Sequence, residues 1–183
     1  MKNKKSLILL LVLVILSSIA LTYNKPKTQT VLSFVLRGFP NVKNEYYQEY
    51  KPYSDYFGPL KIQFSTIAYQ CSDKERKQAE PVVEKFEEIL NYTGAKQDAD
   101  MDVGELERYY YFWLWDNVAK SEYEVEFVTA KFGTSSGYIW VVYSGSNMDE
   151  NGELLSANGK APCCFTVKKI DNKWTVTKIR EPA

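Results

Sequence analysis

Three aspartates recur at every second residue and form the most metal-like pattern in the chain: Asp98, Asp100 and Asp102. Calcium loops space carboxylates in this way so that they converge on one ion, but they also need a glycine at the sixth position and an acidic ligand at the twelfth. Val103 and Tyr109 stand at those two positions here. We therefore predict no metal site, and we expect Asp102 and Glu105 to cap a helix instead.

The chain has no histidine in its 183 residues, which excludes the commonest general base and the Ser–His and Cys–His nucleophile pairs. It also lacks a glycine-rich phosphate loop and a nucleophile elbow. Aspartates and glutamates are numerous, but none has the diagnostic spacing of a catalytic pair. We therefore predict no catalytic residue and no cofactor. With 23 basic and 23 acidic residues the net charge is zero, so we expect no nucleic-acid partner.

The three cysteines form an odd set in a chain with an export-like start: Cys71, Cys163 and Cys164. Because neighbouring strand residues point to opposite faces, at most one of the adjacent pair can meet Cys71 comfortably. One interpretation is a disulfide from Cys71 to Cys163 or Cys164, with the third cysteine left over. The other is that all three are small apolar residues of the core.

The N-terminus begins MKNKK and continues with an apolar run over Leu7–Leu16, followed by small residues at Ser18 and Ala20. A positive start, a short apolar run and small residues are typical of a signal peptide. The apolar stretch can also be extended to residue 23, and an anchor that holds residues 7–23 in the membrane stays open.

We divide the chain into a signal peptide or membrane anchor at 1–23, a polar tether at 24–30, and a single α+β domain at 31–183. In either reading of the first segment, the domain is expected to be extracytoplasmic, either secreted or held at the cell membrane.

Helical signals fill the middle of the chain. Ser72 and Glu75 have the spacing of a capping box, and an amphipathic helix is predicted from Ala79 to Asn91. The aromatic block at 109–115 can be read in two ways: its aromatic content favours a strand, and the preceding cap signal favours a helix. We predict the helix.

The last third of the chain, from Ser121, predicts a curved antiparallel sheet. Glutamates alternate with apolar residues over 121–128, and the alternation shifts near Thr129, which indicates a bulge. The run Tyr138–Tyr143 is apolar on both faces and should be the most buried strand. Residues 144–160 read as a long polar connection, and Asp171-Asn172 as a hairpin turn.

The order of one or two helices followed by long strands, with the ending Lys168–Ile179 (KKIDNKWTVTKI), resembles the nuclear-transport-factor-2-like superfamily over about residues 79–179. That resemblance implies a bent sheet that wraps helices into a cone with a hydrophobic pocket. No residue matches a catalytic motif of the superfamily. The residues that we expect in the core, and secondarily along a ligand pocket, are all aromatic: Phe86, Tyr110, Trp113, Tyr123, Phe127, Trp140 and Trp174.

We therefore expect an exported, non-catalytic binding or accessory domain that takes a small apolar ligand or another envelope protein. One alternative is an enzyme that uses tyrosine and carboxylate groups in the pocket. Another is a structural surface domain that forms a homodimer through Tyr138–Tyr143. A ligand-sized cavity containing a carboxyl group of raised pKa would favour the enzyme. A filled core with an exposed aromatic patch would favour an interaction protein.

Overall fold

The computed structural model describes Glu49 and residues 65–181. The predicted export segment and tether, and nearly all of the chain between them and residue 64, lie outside the described residues. Over the described range, none of the helices combines the length and the apolar character that crossing a membrane requires.

The main helix, α1, spans Asp73–Leu90 and begins at the predicted capping box. The Glu75 backbone N–H donates to the Ser72 hydroxyl at 3.3 Å, and the Ser72 backbone N–H donates to the Glu75 carboxylate at 2.9 Å. The predicted start at Ala79 is wrong, because the cap fixes the first turn well before that residue. Pro81 lies inside α1, where it removes one helical hydrogen bond.

Four antiparallel strands follow in sequence order and form one curved sheet, which confirms the predicted α+β class. The strands are β1 Lys120–Phe132, β2 Ser136–Met148, β3 Leu154–Ile170 and β4 Lys173–Arg180. Asp171 and Asn172 form the predicted turn between β3 and β4 with φ angles of 46° and 66°. Two consecutive residues with left-handed backbone angles form a turn whose twist matches the twist of the two strands that it joins.

The predicted details of β1 and β2 are confirmed. The register of β1 against β2 shifts between Phe127 and Thr129, so Val128 is the extra residue of a bulge. The glutamates of β1 are exposed: Glu122, Glu124 and Glu126. The run Tyr138–Tyr143 of β2 is buried throughout, between β1 and β3. A homodimer through this run stays a prediction.

The long polar connection predicted at 144–160 is wrong. Most of its residues belong to β2 and β3, and only a short turn at 149–153 joins the strands. Polar residues can extend a sheet when they pair across strands, and the Asn147 amide donates to the Ser156 hydroxyl at 3.0 Å. The Asp149 carboxylate then organises the turn by accepting from the Asn151 and Glu153 backbone N–H groups, both at 2.8 Å.

The two faces of the sheet have separate cores. α1 covers one face together with the 3₁₀ helix Gly104–Tyr109. The central side chain of this core is Phe86, which is fully buried. The opposite face carries a smaller cluster: Ile67, Tyr138, Trp140, Val142 and Cys164. The indole N–H of Trp140 donates to the Thr66 hydroxyl at 2.8 Å, which ties the 3₁₀ helix Ser65–Ala68 to that face.

Asn91 joins the end of α1 to the edge strand β1. Its side-chain amide donates to the Tyr123 carbonyl at 2.8 Å and accepts from the Tyr123 backbone N–H at 2.7 Å. This is the pair of hydrogen bonds that a neighbouring strand would supply. The side chain therefore satisfies one residue of the sheet edge and fixes the position of the helix end.

The segment between α1 and β1 forms short 3₁₀ helices, including Gly104–Tyr109 and Tyr111–Trp113. The helix predicted for 109–115 is wrong, and so is its strand alternative. The predicted Asp102 cap is also wrong, since Val103 holds the cap position and no side chain bonds there. Gly104 has a φ of +61°, and a Cβ on it would lie 2.4 Å from the Val176 carbonyl oxygen. Only glycine lets the segment approach β4 so closely.

Candidate functional site

A groove of about 470 Å³ runs between α1, the Gly104–Tyr109 segment and β4. Three pairs of apolar residues form its walls, one from α1, one from the segment and the residue before it, and one from β4: Pro81 and Val82, Val103 and Leu106, Trp174 and Val176. The close approach at Gly104 places Val103 and Leu106 against β4, and Leu106 is almost fully buried. The groove therefore depends on a backbone contact that only glycine permits.

The groove carries charge at its margins, from three lysines and two aspartates: Lys77, Lys85, Lys173, Asp100 and Asp102. Lys85 is paired, with Glu88 at 2.7 Å and Asp100 at 3.5 Å. The hydrogen bond with Glu88 is the main cause that raises the pKa of Lys85. Lys77 and Lys173 form no ion pair with any residue between 65 and 181, so they remain available to an anion.

The middle aspartate of the three that resemble a metal loop, Asp100, is engaged by other groups. The Asp100 carboxylate accepts the Asp102 backbone N–H at 3.0 Å and pairs with Lys85. Asp98 belongs to the 3₁₀ helix Lys96–Asp98. In the described part of the chain, no three cysteine, aspartate or glutamate side chains are grouped closely enough to hold a metal ion.

A second polar cluster lies between α1 and the sheet, where two tyrosines meet one carboxylate. The hydroxyls of Tyr109 and Tyr143 both donate to the same oxygen, Oε1 of Glu181, and the Tyr143 bond is 2.9 Å long. The Cys163 Sγ lies 3.7 Å from the Tyr109 hydroxyl. The Phe86 ring packs edge-on to Tyr109 and Tyr143, with centroids 4.9 and 5.4 Å away. The two phenols, the thiol and the carboxylate therefore form a polar cluster that packs against an aromatic ring.

The surroundings of the two phenols and the thiol keep them protonated. Burial is the largest cause that raises the pKa of Tyr109, of Tyr143 and of the Cys163 thiol, and the charge of Glu181 raises each of them further. A phenol with a raised pKa is a hydrogen-bond donor at neutral pH and not a base. The two tyrosine hydroxyls are therefore the donors in the hydrogen bonds to Glu181.

Another carboxylate, Glu75, shows how the fold neutralises a buried acid with a cation. Lys131 Nζ lies 3.1 Å from Glu75 Oε1 and also donates to the Tyr69 hydroxyl. Burial alone would raise the pKa of Glu75, but the hydrogen bonds from Ser72 and the contact with Lys131 together lower it. Glu75 also closes the capping box of α1. Its buried position is therefore explained by a structural role.

The seven aromatic residues predicted for the core and pocket do not line one cavity. Phe86, Tyr110 and Tyr123 are buried in the core beneath α1. Trp140 is buried in the cluster on the opposite face. Phe127 is half-buried with the Arg76 guanidinium 4.5 Å above its ring. The structure therefore assigns most of these residues to packing.

The other two predicted residues, Trp174 and Trp113, lie at two separate surfaces. Trp174 is half-buried in the groove wall, 4.7 Å from the Phe132 ring. Trp113 is 47% exposed on a surface that we call the aromatic ridge, formed by residues 111–115. The Lys96 ammonium lies 3.6 Å from the centroid of the Trp113 ring, and Leu114 beside it is 66% exposed.

Of the two interpretations of the cysteines, the disulfide from Cys71 to Cys163 or Cys164 is not formed, and all three are free thiols. Cys163 and Cys164 lie on opposite faces of β3, as neighbouring strand residues must. Cys71 is half-exposed just before α1, whereas both residues of the pair are deeply buried. The interpretation of the two strand cysteines as small core residues fits their positions.

Comparison with known proteins shows no family for this chain. No family model matches the chain, and no curated protein matches it significantly. Among solved structures, the chain is similar to a protein from Novosphingobium aromaticivorans named "putative aromatic ring hydroxylase". The likeness has a TM-score of 0.48 and 12% sequence identity, over 61% of this chain and 90% of that one. The fold class above rests on this chain's own helix and sheet.

Sequence reasoning missed two features of these sites. Lys77 and Lys173 were passed over because nothing in the sequence brings an early turn of α1 beside the start of β4. Glu181 was missed although a signal exists: Ile179, two residues earlier, is in the core beneath α1, and alternation along an extended strand places residue 181 on the same face.

Proposed function

We propose that this chain is a non-catalytic binding domain whose groove takes a small amphipathic molecule with an apolar body and an acidic end. The observation that carries the proposal is the concave groove of about 470 Å³ beside Trp174. Sites for small molecules are concave, mostly apolar and roughly 300–1,000 Å³ in volume, with a few polar groups that fix the ligand's orientation. The groove has each of these properties.

The acidic end follows from the charges at the groove. Its side chains carry three positive and two negative charges, and Lys85 and Asp100 offset one another. Lys77 on α1 and Lys173 on β4 are the cations that a ligand's carboxylate would meet. Since exposed ion pairs contribute only about 0–1 kcal/mol, most of the affinity would come from the apolar walls.

The first test is equilibrium binding of octanoate, with octanamide as an uncharged compound of the same length. Isothermal titration calorimetry on the purified protein is expected to give one octanoate per chain with a dissociation constant on the order of 0.1 mM. Octanamide should bind several times more weakly. If neither compound binds at millimolar concentrations, the groove is not a site for this class of ligand.

Protein binding through the aromatic ridge is the second candidate function. Its supporting observation is that Trp113 and Leu114 are exposed next to each other, 47% and 66% respectively. Exposed aromatic and aliphatic side chains of this kind are often found where a partner protein docks. Phe112 of the ridge packs against the core beneath α1, so the ridge has a fixed base.

We also propose that the domain works outside the cytoplasm, as a member of the exported type of nuclear-transport-factor-2-like proteins. The support is the lysine-rich start and apolar run of residues 1–23, together with the sequence ending at Lys168–Ile179. Fractionation of cells that express the full chain, followed by N-terminal sequencing, tests the location and separates a cleaved signal from a retained anchor. Recovery in the cytoplasm with an intact N-terminus would contradict it.

A further inference from the structure

We propose that Tyr109, Tyr143 and Cys163 form a second binding site, for the carboxylate of a small organic acid, and that Glu181 occupies this site in the structure. The site shares no residue with the groove between α1 and β4. The inference therefore stands or falls independently of the proposed function.

The hydrogen bonds converge as they would on a bound anion. Tyr109 and Tyr143 come from different elements, the 3₁₀ segment and β2, yet both donate to one oxygen of Glu181. Each phenol has a single proton, so Tyr109, having donated to Glu181, accepts from the Cys163 thiol 3.7 Å away. Both phenol hydroxyls therefore point at the same oxygen of Glu181, and the thiol in turn donates to the Tyr109 hydroxyl.

Glu181 lacks the features that explain Glu75. No lysine or arginine of residues 65–181 pairs with Glu181, whereas Lys131 lies 3.1 Å from Glu75. Glu181 also caps no helix, and it follows β4 rather than belonging to it. A carboxylate held by neutral donors can leave its site without leaving a buried cation unpaired, so the site can be vacated for another acid.

The enclosing rings limit the size of the acid. Phe86 is fully buried and contacts Tyr109, Tyr143 and Phe165, with centroids between 4.9 and 5.4 Å away. These rings close the inner end of the site. An acid must therefore enter with its carboxylate first, and the part that it buries must be about as short as a glutamate side chain.

Chemical rescue tests the site in the full-length protein. The substitution Glu181→Ala removes a CH₂–COO⁻ group, which is acetate in size and charge. We compare the melting temperatures of wild type and E181A in sodium acetate, in sodium chloride of equal ionic strength, and in acetamide. At about 200 mM acetate, E181A should gain about 4 °C beyond its gain in chloride, whereas wild type should gain almost nothing extra. Acetamide should rescue neither protein.

The tyrosines supply the control. In E181A combined with Tyr109→Phe and Tyr143→Phe the extra gain in acetate should disappear, because both donors are absent. Equal gains in wild type and E181A, or a gain that survives in the triple variant, would overturn the proposal. If E181A does not fold in chloride, acetate should restore its native near-ultraviolet circular dichroism. If it folds in neither salt, Glu181→Ser replaces it, because serine also leaves the place of the carboxylate empty, and the absence of an acetate-specific gain in E181S is also a negative result.

Discussion

The groove and the aromatic ridge are both apolar surfaces with a tryptophan, but they differ in shape and in what surrounds them. In the groove, Trp174 is half-buried in a concave wall near Lys77 and Lys173. On the ridge, Trp113 stands 47% exposed, and the adjacent cation, Lys96, already lies over its ring. The groove can surround a small molecule, while the ridge can only offer one side to a partner.

This difference shows why aromatic content alone is a poor guide to a binding site. The sequence places Trp174 and Trp113 in one set, since both are large aromatic residues near predicted elements. In the structure the two tryptophans differ in the backbone around them. The close approach at Gly104 brings one wall of the groove against β4, beside Trp174. The following experiments test whether the two surfaces are as separate in function as they are in position.

The largest effect is expected from Gly104→Ala. Alanine would be strained at a φ of +61° and its Cβ would clash with the Val176 carbonyl oxygen, so we expect a loss of at least about 2 kcal/mol in the free energy of unfolding. Urea unfolding measures it. The matched control is Gly152→Ala, at a φ of +79° with no atom within 4 Å, which should lose only about 1 kcal/mol. Equal losses in the two variants would show that the contact with β4 is unimportant.

Trp174→Ala should weaken octanoate binding about tenfold, because it removes apolar wall worth about 1.4 kcal/mol of contact. Calorimetry on W174A and on Trp113→Ala measures the difference between groove and ridge. W113A should bind octanoate as wild type does. A loss of affinity in W113A equal to that in W174A would place the ligand elsewhere.

A smaller change is expected when Lys77 and Lys173 are both replaced by glutamine. Octanoate should bind about two- to fivefold more weakly and octanamide equally well, since exposed charges contribute little and are screened by salt. The control K74Q/K178Q removes the same net charge from positions outside the groove and should leave both affinities unchanged. If the control weakens octanoate as much, the net charge of the protein explains the effect.

The smallest effect is the stability change in W113A. It loses a cation–π contact with Lys96, an edge contact with the Phe112 ring at 5.4 Å, and a hydrogen bond from the indole N–H to the Glu107 carbonyl at 3.1 Å. For an exposed residue these should amount to less than about 1 kcal/mol in urea unfolding. A larger loss would mean that the ridge is part of the folded core and not a surface.

Much of the fold could be predicted because local signals and tertiary structure agree there. The capping box at Ser72 starts α1, and alternation along β1 predicts both its exposed glutamates and the bulge before Thr129. The left-handed pair Asp171-Asn172 forms the turn that its residue types favour. In each case the deciding interactions lie within a few residues in the sequence.

The rest depends on contacts between distant residues. The aromatic block at 109–115 has no clear period, and tertiary bonds decide its 3₁₀ turns, such as the one from the Tyr110 hydroxyl to the Asp100 carbonyl at 2.9 Å. The polar ends of β2 and β3 form strands only because they pair with each other. For the candidate sites, Trp174 could be predicted as a lining residue, whereas the pairing of Glu181 with two tyrosines could not.

The most direct test of the groove as the binding site is fluorine NMR of protein labelled with fluorotryptophan. The chain has four tryptophans, so four signals are expected, each assigned by a single Trp→Phe substitution: Trp113, Trp115, Trp140 and Trp174. Titration with octanoate should shift the Trp174 signal in a saturable manner and leave the Trp113 and Trp140 signals in place. A saturable shift of the Trp113 signal with an unmoved Trp174 signal would contradict the groove and favour the ridge.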